Sequence, residues 1–248
     1  VDAQLLFCQG LHPNTTYSFK HALIQDVAYQ SLLGRIRNLH HQRIARVLIE
    51  QFPEIAESQP ERLAQHFSEG GLASEAVDWW LRAGGRALQK SANVEAIKHL
   101  DMALGLLAHL PDNPENRNRE LKVQMSLGPA LCATKGYAAP EVERSFGRAN
   151  VLCRDMSYAS QMFPVQWGLW AFYVVRAAFD KAWETAQTMM RIAEAKGDAN
   201  LLLEAHFAVG LTDYFQGRPV MALLHLREVI ALDSPKRDRS FTYQSGQD

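Results

Sequence analysis

Residues 199–232, ANLLLEAHFAVGLTDYFQGRPVMALLHLREVIAL, decide the fold of this chain. Apolar side chains recur every three to four positions in both halves of the stretch, which is the period of an amphipathic α-helix. Gly217 follows the first apolar run, where a left-handed C-cap is favoured, and Pro219 stands where a second helix can begin. The stretch therefore predicts two consecutive helices, near residues 200–216 and 219–232.

The same stretch resembles a tetratricopeptide (TPR) repeat, a pair of antiparallel helices that stacks on neighbouring pairs. The residues in the motif's places are Val209, Gly210, Tyr214, Gly217, Ala222, Leu226, Val229, Ile230 and Leu232. The stretch departs from the motif at His206, where tryptophan is usual, and at Pro235, which comes one place late. The resemblance implies a degenerate TPR-like hairpin.

The second half of the chain repeats this pattern with an offset of 40 residues. The aligned positions are Val142, Ala182 and Ala222; Phe146, Ala186 and Leu226; Asn150, Met190 and Ile230; and Leu152, Ile192 and Leu232. A small residue followed four positions later by a larger one suits the second helix of a packed hairpin, because the small side chain admits the neighbouring helix. Such units bury their apolar faces only against each other. The sequence therefore predicts an all-α fold, a TPR-like α-α solenoid.

Helical periodicity continues through most of the chain, and proline and glycine mark its interruptions. The predicted helices lie near 21–33, 35–51, 60–69, 73–90, 92–109, 116–134, 140–153, 162–177, 179–196, 200–216 and 219–232. Only residues 15–19, TTYSF, have the composition of a strand. A few residues of sheet thus precede a long run of helices.

The charge balance excludes some classes of function. The 248 residues include 26 basic and 27 acidic side chains, for a formal charge of −1. This balance offers no general attraction to nucleic acid or to a membrane surface. The most apolar stretch, residues 162–175, is shorter than the roughly 18–20 residues that a membrane-spanning helix needs. We therefore expect no membrane partner.

Three widely separated cysteines, Cys8, Cys132 and Cys153, form no CxxC pair, so neither a disulfide framework nor a cysteine zinc site is expected. Free buried thiols indicate a cytoplasmic protein. The chain starts at Val1 without a signal peptide and ends abruptly with Ser245-Gly246-Gln247-Asp248, from which we expect a piece of a longer protein.

Residues 17–33, YSFKHALIQDVAYQSLL, form the most distinctive motif outside the repeats. This run resembles the segment that follows the nucleotide-binding core in bacterial signalling ATPases of the STAND type. In many of these proteins a class III adenylate/guanylate cyclase domain precedes the ATPase. The resemblance implies that the run leaves a winged-helix domain and leads into TPR-like repeats. It continues at Phe52-Pro53-Glu54, Leu63-Ala64-Gln65-His66, Trp80, Ala83-Gly84, Ser91-Ala92-Asn93 and Gly128-Pro129-Ala130-Leu131.

The catalytic parts of that family have no counterpart in this sequence. It contains no G-x-x-x-x-G-K-[ST] phosphate loop, no H-E-x-x-H zinc motif and no G-x-S-x-G nucleophile elbow. No segment resembles a cyclase domain with its two metal-binding aspartates. We therefore expect no catalytic residue, metal or cofactor here, although the parent protein would bind ATP.

A local basic cluster follows the motif, at Arg35, Arg37, His40, His41, Arg43 and Arg46. One interpretation is a contact with nucleic acid or with a phosphate of another domain. The alternative is a solvated face or an interdomain salt-bridge surface, which the spread of these residues around the helix favours.

Two pairs of tryptophans, Trp79 with Trp80 and Trp167 with Trp170, can likewise be interpreted as core or as binding residues. Trp80 and Trp170 fall on apolar stripes and are predicted core residues. Trp79 and Trp167 then point elsewhere, either into a binding groove, where aromatic residues are enriched, or against a neighbouring repeat.

These observations predict four segments: the end of a winged-helix-like domain (1–20), a helical connector (21–59), TPR-like repeats (60–234) and a tail (235–248). The leading hypothesis is a non-catalytic regulatory segment of a multidomain ATP-binding signalling protein. It would bind a protein, another domain or a small effector and bias the nucleotide switch. One rival hypothesis is a fragment of a DNA-binding transcriptional regulator that uses the basic helical segment. A second rival is an enzyme whose site lies in the groove of the repeats.

Overall fold

The computed structural model describes residues 5–10, 15–156 and 159–233. Within these ranges the chain forms one short hairpin and twelve helices. They are β1 (Leu6–Gln9), β2 (Thr16–Phe19), α1 (Ala22–Ser31), α2 (Gly34–Gln51), α3 (Pro53–Ser58), α4 (Pro60–Glu69), α5 (Ala73–Gln89), α6 (Asn93–Leu107), α7 (Pro114–Lys135), α8 (Pro140–Asp155), α9 (Ala159–Val175), α10 (Phe179–Lys196), α11 (Ala199–Phe215) and α12 (Pro219–Leu232). The all-α prediction is confirmed.

The chain divides into two compact units, Val1–Ala76 and Val77–Asp248. This division falls within α5. The predicted boundaries after residues 20 and 59 stay predictions, and the predicted tail, residues 235–248, lies outside the described residues.

The first unit is built around α2 and α4. Strands β1 and β2 pair antiparallel, with Leu6 opposite Phe19 and Gln9 opposite Thr16. Helix α2 packs against α3 and α4, and Ala45, Leu63 and Ala64 are fully buried. Helix α1 contributes no buried residue.

The second unit is a succession of antiparallel helices, each packed against the next from α6 to α12. Helices α9, α10 and α11 share a core that includes Phe163, Trp170, Met189 and Ala205. A second core joins α7, α8 and α9 around Leu121, and the other buried members are Ala149, Leu152, Cys153 and Val165. This sequential packing is the arrangement expected of repeats that bury their apolar faces against their neighbours.

Glycines allow the two helices of a pair to approach closely. A Cβ atom on Gly84 in α5 would lie 2.7 Å from Leu100 Cδ2 in α6, and one on Gly210 in α11 would lie 3.1 Å from Leu226 Cγ in α12. Phe146 of α8 lies against Gly128, where a Cβ atom would be 2.5 Å from the ring. The Phe146 ring also lies against Gly168. A large side chain on the second helix of these pairs thus occupies the space that a missing Cβ leaves.

The α9–α10 pair reverses this size pattern. At the offset of 40 residues, Gly210 corresponds to Trp170 and Leu226 corresponds to Ala186. Both Trp170 and Ala186 belong to one buried core. The Trp170 indole N–H donates to Thr212 Oγ1 over 2.9 Å, which satisfies the buried donor and ties α9 to α11.

One residue matched to the TPR motif lies at the surface of α11. Tyr214, matched to the motif's tyrosine, is 61% exposed, whereas the neighbouring Asp213 is buried. The Asp213 carboxylate accepts from Arg218 over 2.8 Å. Helix α11 therefore buries an acidic residue at this place, and its charge is paired with the arginine that precedes α12.

The predicted helix boundaries lie within a few residues of the observed ones. Helix α7 begins at Pro114, earlier than predicted, because the Asn113 side chain accepts from the Asn116 amide and caps the helix. Gly197 adopts the left-handed conformation, with φ of 62°, at the C-cap of α10, as its place after an apolar run predicted. No helix in the described ranges is both long and apolar enough to cross a membrane.

Candidate functional site

An open, largely apolar site of the second unit is a groove formed by α8, α9 and α10. We call it the basic groove, and it has a volume of about 640 Å³. Its lining residues are Cys153, Arg154, Met162, Thr188, Arg191, Ile192, Ala195 and Lys196. Volumes of this size are typical of sites that hold a small ligand.

The spacing of residues on α10 explains one wall of the basic groove. Thr188, Arg191, Ile192 and Ala195 recur every three to four positions, so their side chains share one face of the helix. Arg191 donates to Thr188 Oγ1 over 3.0 Å, which holds the guanidinium along this wall.

Three cationic side chains surround the basic groove, and none of the described residues that line it is acidic. Arg154 lies in the last turn of α8, and Lys196 lies in the last turn of α10. Cations in these positions also interact favourably with the helix dipole. Arg191 lies about one turn earlier in α10, where the helix dipole does not explain a basic residue. The site is therefore a positively charged rim over apolar residues.

The cysteine thiol in the basic groove is not activated. Burial raises the pKa of the Cys153 thiol, so at neutral pH it stays protonated, and the thiol is a poor nucleophile. Among the described residues, no group of three or more His, Cys, Asp and Glu side chains could hold a metal ion. The lining of the groove thus offers apolar contacts and cations for binding.

A second groove lies between α6, α7 and α8, one pair earlier in the chain. We call it the mixed groove, and its volume is about 390 Å³. Its charged lining residues are Asp101, Lys135, Glu141 and Arg144. Lys135 donates to Glu141 over 2.8 Å, and burial raises the pKa of Asp101 while Lys135 lowers it. Its charges are thus balanced within the groove.

The first unit contains a polar cluster of Tyr29, His41, His66 and Glu69. His41 Nδ1 and His66 Nδ1 are 2.8 Å apart, and Tyr29 Oη contacts His41 Nε2 over 2.9 Å and donates to Glu69 over 3.0 Å. Burial, followed by the charges of His41 and Arg62, lowers the pKa of His66. The cluster joins α1, α2 and α4, and one imidazole must donate while the other accepts.

The residues predicted as a basic cluster do not converge on one point. Arg35, His40 and Arg43 are exposed along α2. The Arg37 guanidinium lies 5.0 Å from the centre of the Tyr29 ring, and His41 belongs to the polar cluster just described.

The two candidate tryptophans differ in accessibility. Trp79 is half-buried, and the Arg82 guanidinium lies 4.5 Å from the centre of its ring. Trp167 is only 3% exposed and stacks near Phe207 of α11, with ring centres 6.2 Å apart. Trp167 therefore packs between helix pairs and does not offer its indole to a groove.

Sequence reasoning missed the residues of the basic groove. Arg154, Met162 and Arg191 come from three helices, and no local spacing connects them. The sequence offered one indication of the groove, the basic residues Arg191 and Lys196 near the end of a predicted amphipathic helix. Basic residues are common at helix C-termini, so this indication was weak.

No protein-family model matches the chain. A relative called "Uncharacterized protein R02095", from Rhizobium meliloti (strain 1021), is 27% identical over 235 residues. The match covers 94% of this chain and 22% of the relative, so the chain spans about a fifth of that protein's length.

Two solved structures are similar in fold. BtubC (BKLC) from P. vanneervenii matches with a TM-score of 0.57 and 13% identity, over 85% of this chain and 98% of that chain. The apo form of RapI matches with a TM-score of 0.62 and 13% identity, over 90% of this chain and 61% of that chain. Together with the packing above, these likenesses show an all-α, TPR-like helical-repeat protein.

Proposed function

We propose that this chain is a non-catalytic interaction module that regulates a larger signalling protein. The observation that carries the proposal is the apolar surface of α1 and α2. Leu23 is 76% exposed, Val27 is 68% exposed, and Leu33 is 72% exposed. Leu23 and Val27 stand one turn apart on α1, and large apolar patches on a folded surface mark contacts with other protein surfaces.

Helix α12 supports the same proposal in the second unit. Val220 is 73% exposed and Ile230 is 75% exposed. Met190, which corresponds to Ile230 at the offset of 40 residues, is only 8% exposed, because it belongs to the core that α10 shares with α11. A repeat surface that is buried in one pair and open in another is available to a protein partner or to another domain of the same polypeptide.

The larger protein that we propose is a STAND-type ATPase, with or without a cyclase domain. The motif of residues 17–33 supports this proposal, and so does the β1–β2 hairpin before it, which suits the end of a winged helix. In such a protein, binding of a partner or effector to the repeats would favour one state of the nucleotide switch.

Two measurements test the proposal. The purified chain should hydrolyse no ATP and should make no cyclic nucleotide above the buffer background, and turnover by this chain would overturn the non-catalytic assignment. In the longest polypeptide that the gene encodes, replacing Leu23 and Val27 by glutamate should change the ATPase rate, because charges would disrupt an apolar contact.

Gln25→Glu is the matched control, since Gln25 is exposed on the same helix. It adds a carboxylate without removing an apolar side chain. An ATPase rate that responds equally to Gln25→Glu and to the double variant would contradict an apolar contact at α1.

DNA binding is a second candidate, because Arg35, Arg43 and Arg46 are all exposed on α2. Residues eight and eleven positions apart lie on the same side of an α-helix. This candidate predicts duplex binding that weakens with salt and is lost in Arg35→Gln/Arg43→Gln. Arg37→Gln is the control, since Arg37 is engaged with Tyr29. No binding at low salt would exclude this function.

A further inference from the structure

The basic groove combines open apolar surface with charge of one sign. Its deepest residue, Cys153, is fully buried, and Met162 and Ile192 are half-buried. Arg154, Arg191 and Lys196 are exposed around them. A ligand in this groove would meet apolar atoms below and cations at the rim.

The cations of the rim are not neutralised by the side chains that line the groove. Arg191 donates to the Thr188 hydroxyl and to the Gln187 carbonyl, both of which are uncharged groups. Asp155, next to Arg154 in sequence, is not among the described residues that line the groove. The rim therefore retains the positive potential that attracts an anion.

The mixed groove shows that this charge pattern is not a general property of the repeats. There, Glu141 accepts from Lys135 and lies 4.0 Å from Arg144. The two grooves therefore differ in charge, although both lie between successive helices of the second unit. A long acidic peptide laid across successive helix pairs would find matching charge in only one of the two grooves.

We propose that the basic groove binds a small amphipathic anion, with an apolar body against Met162 and Ile192 and one acidic head group at Arg154, Arg191 and Lys196. The chemical class is that of alkyl or aryl carboxylates, such as a medium-chain fatty acid. Such a ligand satisfies both parts of the site at once, since apolar burial supplies affinity and charge-assisted hydrogen bonds supply orientation. This inference does not depend on the proposed function.

The test uses octanoate as the probe, with 1-octanol and acetate as matched comparisons that carry only its apolar body or only its head group. Binding is followed by NMR of the chain labelled with ¹³C-methyl methionine, and Met162→Leu assigns the Met162 signal. Octanoate should shift the Met162 signal saturably. Octanol and acetate should bind at least about tenfold more weakly, because each lacks one part of the interaction.

Variants of the rim test the position of the head group. Arg154→Gln/Arg191→Gln should weaken octanoate binding by about tenfold or more and should reduce its salt dependence. The control Arg144→Gln removes an exposed cation from the mixed groove and should leave octanoate binding unchanged. Thermal unfolding followed by circular dichroism checks that each variant remains folded.

Three outcomes would overturn the proposal: no saturable shift at Met162, equal binding of octanol and octanoate, or equal weakening by Arg144→Gln. A further experiment uses a peptide of alternating leucine and glutamate. If this peptide shifts Met162 and octanoate does not, the groove is a peptide site and the small-anion assignment is wrong.

Discussion

The two units of this chain use helices of similar pattern in different ways. In the second unit, apolar side chains of successive helices are buried against each other, as Phe163, Met189 and Val209 show. In the first unit, α1 buries none of its residues, and Leu23 is 76% exposed. Helical periodicity thus identifies an apolar face but does not say whether that face belongs to a core or to an exposed surface. We therefore expect the stability of the chain to depend mainly on the second unit.

Truncating one phenylalanine in each unit should give the largest difference between the units in the free energy of unfolding. Phe146 is 6% exposed and lies between Gly128 and Gly168, which cannot fill the space that its loss creates. Phe146→Ala should lower the free energy of unfolding by about 3–5 kcal/mol. Phe52→Ala, at a side chain that is 45% exposed, should lower it by about 1 kcal/mol or less.

Tryptophan fluorescence during urea unfolding separates these effects, because the five tryptophans all lie between residues 79 and 183, in the second unit. Phe146→Ala should shift the fluorescence midpoint, and Phe52→Ala should leave it nearly unchanged. A clear shift of the fluorescence midpoint by Phe52→Ala would mean that the two units unfold together and would remove the distinction between them.

Alanine substitutions at two adjacent glycines should change the free energy of unfolding by smaller amounts and in opposite directions. The Cβ atom added by Gly84→Ala would lie 2.7 Å from the fully buried Leu100 side chain. Overpacking costs about 1–3 kcal/mol and outweighs the helix propensity gained. Gly85→Ala meets no atom within 4 Å, so it should stabilise the chain by up to about 1 kcal/mol. The urea midpoints of both variants check this, and a stabilising Gly84→Ala would show that α5 and α6 are not closely packed.

Acid should weaken the second unit through the contact between His206 Nδ1 of α11 and His225 Nδ1 of α12, which are 2.9 Å apart. Burial, followed by the charge of His225, lowers the pKa of His206, although Glu228 and Glu194 oppose this shift. The unfolded state then binds the proton more readily than the folded state. Stability should therefore fall as the pH drops below about 6.5, the ordinary pKa of histidine, and the loss is complete below the folded-state pKa.

His206→Leu removes this titration, so the urea midpoint between pH 7.5 and 5.5 should depend less on pH than in the natural chain. Measurement by tryptophan fluorescence confines the result to the second unit. An unchanged pH dependence in His206→Leu would assign the acid effect to other groups.

Much of the fold could be predicted from the sequence because glycine, proline and apolar period fix where helices begin and end. Helix α3 was missed because its six residues are too few to show a period, and β1 was missed because Leu6–Gln9 shows no alternation of apolar and polar residues. Cys8, expected to be buried, is exposed in that strand. The basic groove could not be predicted, because it depends on how α8, α9 and α10 pack and not on any spacing within one of them.

The smallest expected effect is the sharpest test of the first unit. Leu23→Gln/Val27→Gln replaces two side chains that are 76% and 68% exposed, so the free energy of unfolding should change by no more than about 0.5 kcal/mol. Far-UV circular dichroism during urea unfolding measures this change over both units. A loss of several kcal/mol would mean that α1 is packed within the isolated chain, and the contrast between a self-contained second unit and a contact-forming first unit would then fail. A negligible change, combined with an altered ATPase rate when Leu23 and Val27 are replaced by glutamate in the longest polypeptide, would identify α1 as a surface that contributes to regulation and not to stability.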